Sequence, residues 1–86
     1  MKETEKILKA LANRRRLAIL KYLKKSQQAP VGDIAKEIKL SFKSTSRHLA
    51  VLRSVDIVKR EQVNLSAYYS LVSPPLSTVK FILNTI

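Results

Sequence analysis

Apolar residues return every three or four positions along most of the chain, the spacing of helices that each bury one side. Between Lys2 and Ala12 they are Ile7, Leu8 and Leu11, which predicts a first helix. Asn13 is a good N-cap for a second, which carries Leu17, Leu20 and Leu23 with Ile19 alongside. Lys24 and Lys25 in its last turn complement the negative helix end. Ser26 to Pro30 breaks the pattern. Val31, Ile34, Ala35 and Ile38 then predict a short third helix, with Asp33 near its positive start. Lys39 to Phe42 reads as a tight connection, within which Ser41 caps the next helix.

That fourth helix, from Ser41 to Arg53, has two unlike edges. With Leu49 at the centre of one side, Thr45 and Leu52 fall beside it. Lys43, Arg47, Ala50 and Ser54 line up on the opposite side, at i, i+4, i+7 and i+11. A helix anchored by one edge and offering cations and hydroxyls from the other suits the DNA major groove. There Arg and Lys reach guanine acceptors, and Ser or Thr bond base edges or phosphates. A solvated amphipathic helix is the plainer alternative. The third helix, a brief turn and the fourth together make a helix-turn-helix over about 31–54.

Beyond Ser54 the period changes to that of strands. Ile57 to Val63 is rich in β-branched and polar residues, Asn64-Leu65-Ser66 is a plausible turn, and Ala67 to Val72 is a second strand. The hairpin, about 57–72, must pack on the helices, since two strands alone are marginally stable. Pro74 and Pro75 reset the chain. Leu76, Val79, Ile82, Leu83 and Ile86 then predict a last helix with one charge, Lys80. So apolar a helix is expected to pack on another, and the N-terminal one is the nearest candidate. The fold class expected is mainly α with a β-hairpin, in the order α-α-α-α-β-β-α.

At 86 residues the chain is expected to be one domain. So short a chain buries little more than ~60% of its unfolded surface, so self-association would add stability. With no cysteine it forms no disulfide. It has no apolar run of ~18 residues, and its charged N-terminus lacks the apolar core of a signal peptide, so no membrane span and a cytoplasmic location are expected. Charge changes the picture most. Seventeen Lys and Arg against six Asp and Glu give +11, which suits a polyanion. A membrane face is disfavoured, because the cations are dispersed over several segments.

The motifs also resemble a known family. ALANRRRLAILKYL (Ala10–Leu23), SRHLAVLR (Ser46–Arg53) and AYYSL (Ala67–Leu71) are similar, in register and without insertions, to three segments of the ArsR-type winged-helix repressors. The resemblance implies a winged helix-turn-helix and a homodimeric, sequence-specific regulator of double-stranded DNA. It further implies a dimer interface on the first and last helices, about 2–12 and 75–86, through Ile7, Leu8, Leu11, Leu76, Val79, Ile82, Leu83 and Ile86. Arg16 stands at the family's arginine, where a structural or backbone-contacting role is implied. Metal-sensing members carry a Cys-x-Cys pair where this chain has Pro30 and Gly32, and others use the last helix, where it has no Asp, Glu, His or Cys. No metal and no cofactor are expected. Asp56 and Asn64 replace two family glycines, and both residue types tolerate positive φ. The wing, diluted by Glu61, Val63 and Leu65, keeps Lys59 and Arg60 near its base.

The DNA-contacting candidates are therefore Lys43 and Arg47, flanked by Ser44 and Ser46, with Ser41 offering its backbone N–H to a phosphate. His48, at the margin of the two faces, reads as a scaffold or phosphate-bonding group, and Lys59 and Arg60 as wing contacts. Thr45 reads as structural, and Tyr68 and Tyr69 as hairpin packing. Arg14-Arg15-Arg16 opens the second helix, the wrong end for cations, and so needs a partner or a purpose; Arg14 and Arg15 are candidates for phosphates. No catalytic pairing accompanies His48, so an enzyme is not expected. Two rivals stand beside the sequence-specific repressor: a non-specific nucleoid protein and a winged-helix adaptor that touches no DNA.

Overall fold

Five helices wrap a small sheet in the computed structural model, which describes residues 1–86. In chain order they are α1 (Lys2–Leu11), α2 (Arg14–Ser26), β1 (Gln28–Pro30), α3 (Val31–Ile38), α4 (Phe42–Ser54), β2 (Val58–Val63), β3 (Ser66–Leu71) and α5 (Ser77–Leu83). Helix α2 is central: Ile19, Leu20 and Leu23 are at most 1% exposed and meet the other layers from its inner side. It starts where Asn13 accepts hydrogen bonds from the Arg15 and Arg16 backbone N–H groups at 3.0 and 3.2 Å. No helix is long and apolar enough to cross a membrane.

Both helices of the helix-turn-helix end in the same way. At the end of α3, the Leu40 N–H donates to Ala35 and the Lys39 N–H to Lys36; at the end of α4, Ile57 donates to Leu52 and Asp56 to Arg53. These are Schellman closures, and the residue that turns left-handed in each is not glycine but Lys39 (φ 55°) and Asp56 (φ 59°). Each closure folds an apolar residue back onto the helix it ends, and Ile57 and Leu52 are both buried there.

The sheet has three antiparallel strands in the order β1-β3-β2, not two. Residues 28–30, which the sequence pattern gave as a break, form an edge strand: Ala29 lies opposite Tyr69 and is 2% exposed. Three residues are too few to show a strand period, and Pro30 is tolerated because it sits on an edge. Gln27, at φ 74°, turns the chain out of α2 into this strand. The wing closes through Asn64 and Leu65 alone, with Val63 opposite Ser66, so Ser66 belongs to a strand and Asn64 takes φ 57°.

The terminal helices also differ from expectation. Helix α5 lies on α2 rather than chiefly on α1. Lys24 of α2 holds it by donating to the backbone carbonyls of Leu83 and Ile86. Leu11, Val79 and Leu83, assigned to a dimer interface, are buried in this chain's own core. Ile7, Ile82 and Ile86 pack partly against that core. Leu8 and Leu76 remain outward, joined by Phe81, which is 69% exposed.

Candidate nucleic-acid interface

Helix α4 separates its anchor from its exposed edge. Thr45, Leu49 and Leu52 are 0% exposed, while Lys43, Arg47, Ala50 and Ser54 face solvent. Burying the two leucines contributes ~2 kcal/mol each, which holds the helix in place without using any cation. The helix carries no acidic residue. Ser41 caps it, its hydroxyl accepting from the Ser44 N–H at 3.1 Å. That bond occupies the Ser44 amide and leaves the Ser41 hydroxyl proton free to donate. Ser44 and Ser46 are half-buried on the two flanks.

Two of the three arginines that open α2 have partners. Arg16 donates through Nε to His48 Nδ1 at 3.2 Å and through one terminal nitrogen to the Lys9 and Ala10 carbonyls, each at 3.3 Å. Arg15 donates to the Ile38 carbonyl at 3.2 Å. The two guanidiniums thus sit at the carbonyl ends of α1 and α3, where cations are favourable, which offsets their place at the start of their own helix. Arg15 is committed to this scaffold. Arg14 is exposed and makes no hydrogen bond.

His48 is fixed by that contact. Because Nδ1 accepts, the neutral ring carries its proton on Nε2. Burial lowers its pKa below the ordinary value, and the charges of Arg16 and then Arg15 lower it further. The ring is a neutral donor at neutral pH.

On the wing, Val58, Arg60 and Gln62 share the helix-facing side with Leu71, Tyr69 and Ala67, their partners across the ladder. Lys59, Glu61 and Val63 face away. Lys59 and Arg60 therefore point to opposite faces and do not form one cationic patch. Arg60 donates to Gln62 Oε1 at 2.9 Å. Its groove is bounded by Phe42, the first residue of α4, which the sequence pattern placed in the connection. The signal was an aromatic residue between a cap and a lysine. Tyr69 is buried and Tyr68 half-buried in hairpin packing.

The charge on this surface is almost wholly uncompensated, since the only ion pair is the exposed Glu5–Lys9 contact at 3.9 Å on α1. Pro30 and Gly32 carry no ligating side chain, and within one chain no three His, Cys, Asp or Glu side chains converge.

Residues 13–60 match the model of the family described as "Bacterial regulatory protein, arsR family". The chain is 30% identical over all 86 of its residues to the transcriptional repressor PagR of Bacillus anthracis, covering 86% of that protein. The PagR crystal structure superposes with a TM-score of 0.81, over 98% of this chain and 92% of that one. The chain is also 37% identical over 67 residues to the transcriptional activator HlyU of Vibrio cholerae, 78% of this chain and 61% of that protein. A third likeness is to the homodimeric winged helix-turn-helix DNA-binding domain of Mb0332 from Mycobacterium bovis. Its TM-score is 0.85 at 25% identity, over 98% of this chain and 75% of that one.

Proposed function

Because this chain belongs to the bacterial regulatory proteins of the arsR family, as a DNA-binding winged-helix regulator of transcription, we propose that it acts as a homodimeric, cytoplasmic repressor on an inverted-repeat operator. Residues 1–86 work as one winged-helix unit, and Lys43, Ser44, Ser46 and Arg47 of α4 meet the major groove. Ser41 and His48 donate to flanking phosphates, and Lys59 and Arg60 add contacts from the two faces of the wing. One observation carries the reading: α4 is anchored along one edge by the fully buried Thr45, Leu49 and Leu52 while Lys43 and Arg47 stand exposed on the opposite edge. Likeness to a repressor along the full chain supports the direction of regulation, and likeness to a homodimer supports the pairing. The exposed Leu8, Leu76 and Phe81 supply apolar surface for it.

Two copies related by a two-fold axis would set their recognition helices ~34–36 Å apart, in successive major grooves. The test is selection of bound duplexes from a random pool, followed by a salt titration of affinity. An inverted repeat is expected, with log affinity falling against log salt at a slope of about −5 to −9. A slope near zero, with no enriched sequence, would rule the reading out. The net charge of +11 favours one alternative, a non-specific nucleoid protein. Equal affinity for the selected and a scrambled duplex would establish that alternative instead.

A further inference from the structure

The wing-side start of α4 sets an aromatic residue beside the helix's exposed cations. Phe42 opens the helix immediately after its cap and is 63% exposed. Its position in the helical turn places it on the flank toward the wing, where it lines an open groove of about 340 Å³. Leu65, at the wing tip, forms the other lip and is 100% exposed. The polar lining between them is Arg60, Gln62 and Ser66, with no acidic group. Phe42 is not part of the buried core, so core packing does not account for an aromatic residue here. It stands next to Lys43, at the end of the helix that in helix-turn-helix proteins approaches the base edges. In the major groove those edges display one apolar group, the C5-methyl of thymine. The basic surroundings match a duplex and would repel most cationic surfaces.

We propose that Phe42 is a specificity-determining residue that reads a thymine methyl in each half-site, with Leu65 extending the apolar strip across the groove. This rests on the DNA-binding reading of α4 and adds to it a methyl group that no hydrogen-bonding residue of the helix would sense. The contact is covered only in the complex, which explains why the ring is left in water in the free chain.

The test uses the unaltered protein first. Each thymine of the selected duplex is replaced singly by deoxyuridine, which removes the methyl and keeps the pairing. At one thymine per half-site, affinity is expected to fall about fourfold, the equivalent of ~0.8 kcal/mol for one buried methyl. Phe42→Ala should lose a similar factor on the normal duplex and no longer distinguish thymine from uracil there. Phe42→Leu should keep part of the discrimination. A selected duplex whose thymines are all insensitive, or a Phe42→Ala protein that still senses the methyl, overturns this inference alone. Failure of the unaltered protein to select any sequence overturns the sequence-specific reading itself, a separate observable. If Phe42→Ala does not fold, Phe42→Leu decides: full retention of the thymine-over-uracil preference overturns the assignment to Phe42, and a reduced preference supports it.

Discussion

The recognition helix and the wing both present basic residues, yet they are built to different tolerances. Helix α4 is capped at one end by Ser41, closed at the other by Asp56, and pinned along its length by Thr45, Leu49 and Leu52, all 0% exposed. Along β2, only Val58 is buried, and its partner strand is half-buried for most of its length. A side chain on α4 thus has a fixed station, while one on the wing is placed by a thin ribbon. The lesson is that geometric accuracy is concentrated where bases would be read. A wing that only follows phosphates would tolerate that looser placement.

Removing an anchor should break the helix side of this comparison most severely. Leu49→Ala leaves a cavity under α4 and is expected to cost 2–5 kcal/mol of stability, whereas Leu65→Ala, at the wing tip, should stay within about 0.5 kcal/mol. Denaturant unfolding measures both, and equal losses would mean that the wing is as tightly determined as the helix. Next in size, Arg47→Ala should weaken binding to a selected duplex by about 1–3 kcal/mol with unchanged stability. Lys59→Ala should instead weaken all duplexes alike and reduce the salt slope by about 1. Binding isotherms at several salt concentrations separate these outcomes.

A smaller effect is expected at Thr45. Its hydroxyl is buried without a hydrogen-bond partner, so Thr45→Val should stabilise the fold by about 1 kcal/mol. A lower melting temperature for that variant would show that the hydroxyl finds a partner after all. The smallest effect is that of pH. The unfolded chain takes up a proton at His48 near the ordinary value of 6.5, but the folded chain does so only at lower pH. Stability should therefore be complete above 6.5 and decline as pH falls from there to the folded value, then level off. His48→Gln should remove that part of the profile. DNA affinity should move the other way, because a protonated His48 adds a cation to the interface. Chemical denaturation and binding measured across the same acid range check the two signs.

How much of this was legible in the sequence depended on whether the information was local. The opposite edges of α4 follow from a single helical period, so Thr45 and Leu49 stand beneath Lys43 and Arg47 as expected. Asn13, Ser41 and Asn64 were legible because caps and turns favour those residue types, and Asp56 because it stands where the resembling family has glycine, whereas nothing in Lys39 itself announced its φ of 55°. What the period could not supply were pairings between distant segments. Ala29 became a strand only by lying opposite Tyr69, forty residues later. Helix α5 met α2 through Lys24, and Leu11, Val79 and Leu83 turned inward with it. Helical spacing marks a residue as apolar-facing without saying whether its own chain or a second copy covers it. The Arg15 pairing was foreshadowed only as an electrostatic misplacement, and that of Arg16 also by the structural role the family resemblance implies.

Arg16 has one more consequence. Its guanidinium grips the carbonyl end of α1 with one nitrogen and the His48 ring with another. The N-terminal segment and the middle of the reading helix are therefore clamped to the same rigid plane. A tilt of α1 must either tear those bonds or drag the imidazole along. Wherever that first segment is seated, the angle at which the chain addresses its target is set with it.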